Sequence, residues 1–145
     1  MKPTRTFIGI DPDVHKSGVA IVRDGKLESY SAQSFFDVVK TIEDNNSSPY
    51  HEVTVVIEAG WVNKRSNWHG APNAKAACRI AKNVGMNHQI GKLFEEYCKR
   101  TKARYELVVP KQHKCTPEYV SSAIGAKVRN QDICDAIMLV FGRKN

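Results

Sequence analysis

Two carboxylates in an apolar, helix-forming run near the C-terminus constrain the fold more than any other feature. Asp132 and Asp135 lie in the run 130–140, whose other residues are largely apolar. Acidic side chains are rarely buried unless they are paired or bind a metal, and two of them at positions i and i+3 of a helix are neighbours that repel each other. A cation between them would turn this cost into a binding site.

Two further acids follow apolar runs that are typical of β-strands. Asp11 comes after 6–10, and Glu58 comes after 53–57, the most β-prone run in the chain. If these strands are neighbours, their last residues converge at one edge of the sheet, and the last helix can bring its two acids across that edge. A turn role for Asp11 and a first-turn helix role for Asp132 are the structural alternatives.

Four such carboxylates in a basic protein indicate metal-dependent chemistry on phosphates. Two metal ions about 3.5–4 Å apart hydrolyse a phosphodiester by activating the water and stabilising the leaving oxygen. Mg²⁺ prefers hard oxygen ligands and usually keeps several waters, so a few Asp and Glu side chains suffice to hold it.

The hydrophobic pattern predicts the order βββαβαβαα in one α/β domain of 145 residues. The first three strands should form an antiparallel meander, because Asp24-Gly25 is a strong hairpin turn signal. A break in the long helix is expected at 83–85. The predicted strands are 5–11, 18–23, 26–32, 52–58 and 104–109, and the predicted helices are 34–44, 73–101, 116–127 and 131–142.

The net charge of +7 is unevenly distributed along the chain. Residues 1–60 carry 6 Lys/Arg and 9 Asp/Glu, a net −3, whereas residues 61–145 carry 16 and 6, a net +10. This asymmetry favours a polyanionic partner, most often nucleic acid, although a solvated basic surface is the alternative. The sequence shows neither a signal peptide nor a membrane span, so we expect an intracellular protein with four free cysteines.

The motifs together resemble those of RuvC-like Holliday junction resolvases in the RNase H-like superfamily. Gly9-Ile10-Asp11-Pro12, followed by Ser17-Gly18-Val19-Ala20, resembles their opening hairpin. Ile57-Glu58 resembles their second acidic motif, and Asp132-Ile133-Cys134-Asp135-Ala136 resembles their C-terminal helix. The resemblance covers nearly the whole chain in order and spacing, and the compact form is similar to phage or viral relatives.

This resemblance implies a mixed five-stranded sheet flanked by helices, and a homodimer that makes paired nicks in four-way DNA junctions. It also implies that Asp11, Glu58, Asp132 and Asp135 bind Mg²⁺, for which Mn²⁺ can substitute. The chain departs from the family at Asp13, where glycine is frequent, and in a longer loop after Glu58. A residue just after the second acid lies near the junction centre in the family, a place that Trp61 would take.

Several basic residues are candidates for DNA contacts. In the loop after Glu58, aromatic and basic residues are mixed as in proteins that stack on unpaired bases, although Trp61 can equally pack under the loop. Lys114, near the Asp pair, is a candidate for stabilising charge at the scissile phosphate. The other candidates, whose alternative is a solvated surface, are Lys64, Arg65, Lys75, Arg79, Lys82, Lys111, Lys127 and Arg129.

Three other functions compete with a Mg²⁺-dependent junction endonuclease. A DEDD-type transposase or recombinase domain can open with a similar motif, but we expect further domains to follow its last Asp. An ATPase of the actin fold needs two such domains, more than 145 residues supply. A non-catalytic nucleic-acid-binding protein with this fold would have no reason to keep four acids that repel one another.

Overall fold

The computed structural model of the protein describes residues 2–63 and 73–144. Within these ranges the elements follow the predicted order βββαβαβαα, with a short 3-10 helix (Gly60–Val62) after the fourth strand. The strands are β1 (Thr4–Asp11), β2 (Ser17–Arg23), β3 (Lys26–Gln33), β4 (His51–Glu58) and β5 (Arg104–Val108). The helices are α1 (Phe35–Asn46), α2 (Ala74–Thr101), α3 (Pro117–Ile124) and α4 (Gln131–Val140).

The strands form one mixed five-stranded sheet in the order β3-β2-β1-β4-β5, as expected. The expected meander is present, because β1 pairs antiparallel with β2 and β2 pairs antiparallel with β3. β4 lies parallel to β1 on its other side, with Ile10 opposite Ile57. The last residues of β1 and β4, Asp11 and Glu58, therefore reach the same edge of the sheet.

Helices cover both faces of the sheet, as the strongly apolar central strands require. On one face α1 and α2 pack against the sheet, with Phe94 and Cys98 of α2 fully buried. On the other face α3 and α4 pack against it, with Ile137 and Val140 of α4 fully buried. The acid-bearing helix α4 is thereby fixed across β1 and β2.

Short polar side chains cap the N-termini of helices α1 to α4 and fix where each helix begins. The side chains of Ser34, Asn73, Thr116 and Asn130 each accept a hydrogen bond from a backbone N–H in the first turn of the helix that follows. The expected break at 83–85 was wrong, because α2 is continuous from Ala74 to Thr101. A glycine lowers helix stability by only about 1 kcal/mol, and helix formation on both sides of Gly85 outweighs that cost.

Candidate metal centre

Three of the four candidate acids meet at the edge of the sheet where β1 and β4 end. One carboxylate oxygen from each of Asp11, Glu58 and Asp135 lies within 4.8 Å of the others. All three residues are buried, with only 8–9% of their surface exposed. Three carboxylates this close in a buried site repel one another unless a cation is present.

Lys114 supplies a positive charge to this site. Its Nζ lies 2.8 Å from Asp135 Oδ2 and 3.2 Å from Glu58 Oε1. Burial lowers the pKa of Lys114, but the hydrogen bond to Asp135 and the charges of the nearby acids outweigh burial and raise that pKa above its usual value. The lysine side chain is still 43% exposed, so its ammonium group lies at the boundary between the acids and solvent.

One oxygen of the site has no hydrogen-bond partner among the residues that the structure describes. Glu58 Oε2 is buried and accepts no hydrogen bond from the described residues. An unsatisfied buried carboxylate oxygen is costly, and oxygen atoms of this kind are the ligands that hard divalent cations prefer. The residues of the site therefore fit a divalent metal ion, which would be held by Asp11, Glu58 and Asp135.

Asp132 lies beside this group. It is half-buried, and burial raises the pKa of its carboxyl, an effect partly offset by a hydrogen bond with Asp11. The charges of Asp13 and Asp135 raise the pKa of Asp132 further. Asp132 is thus placed to add a ligand on the Asp11 side of the site.

The Asp11 carboxyl has the most perturbed environment of the group. Burial first, and then its hydrogen bond with Glu58 and the negative charge of that residue, raise the pKa of Asp11 to about 10, although the positive charge of Lys114 acts against them. A cation that binds here would act against this shift, because a nearby positive charge favours the ionised carboxylate.

Two glycines let α4 lie close enough to the sheet to bring its acids to Asp11. A Cβ atom at Gly18, which pairs with Asp11 across β1 and β2, would lie 2.0 Å from the carbonyl oxygen of Asp132. A Cβ atom at Gly9 would lie 2.5 Å from the carbonyl oxygen of Ala136. Both contacts are to backbone atoms, which cannot rotate away, so any larger residue would push α4 off the sheet.

Gln131 is a contributor that the sequence prediction missed. Its Nε2 donates hydrogen bonds to Asp135 Oδ1 at 2.8 Å and to the carbonyl oxygen of Cys115 at 3.1 Å. It therefore fixes the Asp135 carboxylate and ties α4 to the segment that carries Lys114. The i, i+4 spacing of Gln131 and Asp135 on a predicted helix could have indicated this contact.

A cavity of about 690 Å³ opens from the acids toward α2 and the segment after β5. Trp61 is one of the residues that line this cavity. Its indole ring is partly buried and packs against the hydrophobic core under α1 and α2, so the ring is not freely exposed. Lys111 and Lys114 also line this cavity. The cavity places aromatic, amide and basic side chains next to the carboxylates.

The remaining basic candidates lie farther from the acids or outside the described residues. Lys64 and Arg65 fall in the range 64–72, outside the described residues. Five others are exposed, and none of them is among the described residues that line the cavity: Lys75, Arg79 and Lys82 on α2, and Lys127 and Arg129 between α3 and α4. Their spacing on α2, one turn apart, keeps those three on one face of the helix.

The fold is shared with solved RuvC structures. Thermus thermophilus RuvC superposes with a TM-score of 0.54 at 11% identity, covering 94% of this chain and 91% of that one. RuvC from T. thermophilus in complex with a Holliday junction substrate gives 0.50 at 13% identity, covering 95% and 91%. The resemblance to RuvC-like resolvases is thus confirmed at the level of the fold.

A further match is the yeast mitochondrial Holliday junction resolvase Ydc2, with a TM-score of 0.43, 10% identity and coverage of 97% and 79%. No protein-family model and no curated protein matches this sequence. None of the helices in the described ranges combines the length and apolar character needed to span a bilayer.

Proposed function

We propose that this chain is a divalent-metal-dependent endonuclease that cuts branched DNA, with four-way junctions as its main substrate. The observation that carries the proposal is the buried group of Asp11, Glu58 and Asp135, in which Glu58 Oε2 has no described hydrogen-bond partner. A protein that only bound DNA would gain nothing from burying three carboxylates together. The RuvC fold and the basic net charge support the same conclusion.

In the proposed reaction Asp11, Glu58 and Asp135 hold Mg²⁺, or Mn²⁺ as a substitute, and Asp132 adds a ligand beside Asp11. The bound metal supplies Lewis-acid stabilisation of the phosphate and a water of lowered pKa. Gln131 orients the Asp135 carboxylate through its hydrogen bond to Oδ1. These side chains are fixed by strand ends and by one packed helix, so they need little rearrangement when substrate arrives.

Lys114 has the role of contacting the scissile phosphate. Its side chain is the part of the site that reaches solvent, and an ammonium group there stabilises the negative charge that develops on the phosphate oxygens. Lys111 lines the same cavity, and its proposed role is to contact the phosphates of the DNA strand near the acids. The other basic candidates are proposed to contact phosphates farther from the cleavage site.

Paired nicks on a four-way junction require two active sites related by the junction's own symmetry. We therefore propose that two copies of this chain act together as a homodimer, in which each copy contributes one nuclease domain. Such an enzyme acts where DNA recombines and is repaired, inside the cell.

Cleavage of a labelled immobile four-way junction in Mg²⁺ tests the proposal. We expect wild type to make symmetric nicks in two opposite strands and to leave a linear duplex of the same sequence intact. Asp135→Asn should lose cleavage while keeping junction binding, whereas Asp44→Asn, the same change on the exposed surface of α1, should cut like wild type.

Other outcomes would contradict the proposal in distinct ways. Tight junction binding without cleavage in Mg²⁺ or Mn²⁺ would indicate a non-catalytic DNA-binding protein. Cleavage confined to particular DNA end sequences would indicate a transposase domain. Full activity of Asp135→Asn would remove Asp135 from the metal site.

A further inference from the structure

Trp61 and helix α2 meet at a glycine. Gly91 is buried in α2, and a Cβ atom at this position would lie 2.3 Å from Trp61 Cζ3 and 2.8 Å from Trp61 Cη2. Real Cβ atoms do not approach other atoms so closely, so an alanine here would force the indole to move. Glycine inside a helix lowers helix stability by about 1 kcal/mol relative to alanine. At position 91 the close approach of the Trp61 ring explains why a glycine is needed despite that loss.

The same part of α2 holds the segment that follows Asp11. The Cγ atom of Pro12, the residue after Asp11, lies 3.1 Å from the Cβ position of Gly91. One turn earlier on α2, Asn87 Oδ1 accepts a 2.9 Å hydrogen bond from the backbone N–H of Val14. The chain leaving β1 is thus attached to α2 at two points.

Trp61 attaches the chain leaving β4 to the same place. It is the third residue after Glu58 and lies in the short 3-10 helix Gly60–Val62. Its ring meets His88 edge-on, with 6.4 Å between ring centroids. Positions 87, 88 and 91 lie on one face of α2, so a single helix face holds the exits of both acid-bearing strands.

We infer that Trp61, seated on Gly91, is a positioning residue that fixes the ends of β1 and β4 relative to each other and so sets the spacing of Asp11 and Glu58. The inference rests on the proposed metal-binding function of these acids. It differs from the expectation that Trp61 stacks on DNA, because a ring packed on Gly91 and against the core acts on the acids through the protein and not through a DNA base. Disturbing Trp61 should therefore weaken metal binding before it weakens junction binding.

A matched pair of glycine substitutions in α2 tests the inference through Mn²⁺ binding, measured by calorimetry without DNA. Gly91→Ala should weaken Mn²⁺ binding by roughly 10-fold to 100-fold, the usual effect of losing a group that orients metal ligands. Gly85→Ala is the control, because no described atom lies within 4 Å of its Cβ position, and it should bind Mn²⁺ like wild type.

Trp61 fluorescence provides a second readout, recorded on variants whose far-ultraviolet circular dichroism matches that of wild type, so that a shift reports a moved indole and not unfolded protein. In a Trp68→Phe background Trp61 is the only tryptophan. Gly91→Ala should shift its emission to longer wavelength, because the displaced indole meets more water, and Gly85→Ala should leave the emission unchanged.

A double variant guards the test against a Gly91→Ala protein that does not fold. Trp61→Phe removes the part of the ring that contacts Gly91 and should by itself weaken Mn²⁺ binding. Combining it with Gly91→Ala should restore folding and recover most of the affinity, because the smaller ring leaves room for the new methyl group. Recovery in the double variant would show that the two residues act through their contact.

Three results would overturn the inference. One is a Gly91→Ala protein that matches Gly85→Ala in both Mn²⁺ affinity and emission. Another is a Trp61→Phe protein with wild-type Mn²⁺ affinity. The third is a wild-type protein that binds no Mn²⁺. That result would also contradict the proposed function. It differs from the other two results because it is seen in the unmodified protein.

Discussion

At the scale of single residues, Lys114 links the metal-free state of the site to its proposed chemistry. Its ammonium group contacts Asp135 and Glu58, two of the three carboxylates that would bind a metal. A divalent cation can bind Glu58 Oε2, which Lys114 does not contact, but it must share the Asp135 carboxylate with Lys114 or displace the lysine. The same lysine then becomes available to a phosphate of the substrate.

Lys114→Gln is expected to change metal binding and cleavage in opposite directions. Removing a competing, partly exposed cation should tighten Mn²⁺ binding to the DNA-free protein by roughly twofold to fivefold. Removing a donor to the transition state should slow junction cleavage by roughly 100-fold or more. Calorimetry and single-turnover cleavage at saturating Mn²⁺ measure the two effects separately.

Lys111→Gln is the matched control for this prediction. Lys111 lines the same cavity, but no described ion pair joins it to the acids, so its loss should leave Mn²⁺ affinity unchanged and weaken only DNA binding. If Lys114→Gln instead bound Mn²⁺ more weakly, the lysine would be supporting the acids rather than competing with the metal.

The sequence could predict the acids of the site but not the groups that hold them. Asp11 and Glu58 follow apolar strands, and strand ends are visible in the pattern of side chains. The contact of Gly91 with Trp61 and the hydrogen bond from Gln131 to the carbonyl oxygen of Cys115 join residues that are distant in the chain, and neither residue type is unusual in a helix. Such contacts depend on how closely the elements approach, which no local pattern encodes.

At the scale of elements, the distance between α4 and the sheet is set by residues without side chains. Gly18 lies on β2 where the backbone of α4 passes closest, next to the carbonyl oxygen of Asp132. The position of α4 in turn decides whether Asp132 and Asp135 reach Asp11. Helix packing and metal-site geometry are therefore controlled by the same contact.

Gly18→Ala is expected to lower both stability and metal affinity. Its methyl group must displace backbone atoms of α4, and overpacking of this kind costs about 1–3 kcal/mol. Urea denaturation in EDTA should show that loss in the free energy of unfolding, and Mn²⁺ affinity should fall as Asp132 and Asp135 move away from Asp11. Gly85→Ala, the same substitution in open space on α2, should not reduce either quantity.

An unchanged Mn²⁺ affinity in a folded Gly18→Ala protein would mean that the site tolerates a displaced α4. The elements themselves were largely predictable, since apolar runs indicated most of the strands and the Asp24-Gly25 turn signal indicated the meander. The continuity of α2 through 83–85 was not, because local propensity at Asn83 and Gly85 is weak against the packing of the helix on either side.

At the scale of the whole molecule, charge is divided along the chain. Residues 1–60 carry a net −3 and residues 61–145 a net +10. The acidic half provides β1 to β4 and two of the metal-site carboxylates, while the basic half provides α2, β5, α3 and α4. In the proposed function, the basic part would hold most of the DNA, although it also carries Asp132 and Asp135, while the acidic part contributes Asp11 and Glu58.

The exposed stripe of Lys75, Arg79 and Lys82 on α2 should govern the salt dependence of junction binding. Each phosphate contact releases counterions and contributes about 0.9 to the slope of log K against log salt concentration. Replacing all three residues by glutamine should therefore reduce that slope by as much as about 2.7 if each contacts a phosphate, while single-turnover cleavage of bound junction stays unchanged. Fluorescence anisotropy of a labelled junction across a salt series measures the slope.

The control triple variant Lys2→Gln, Lys26→Gln and Lys40→Gln removes the same charge from exposed positions in the acidic half. It should leave the slope nearly unchanged if DNA contacts α2 directly, because counterion release depends on the charges that touch phosphate rather than on net charge. Equal effects of the two triple variants would mean that DNA responds only to the overall charge of the protein, and the stripe on α2 would then be an ordinary solvated helix face.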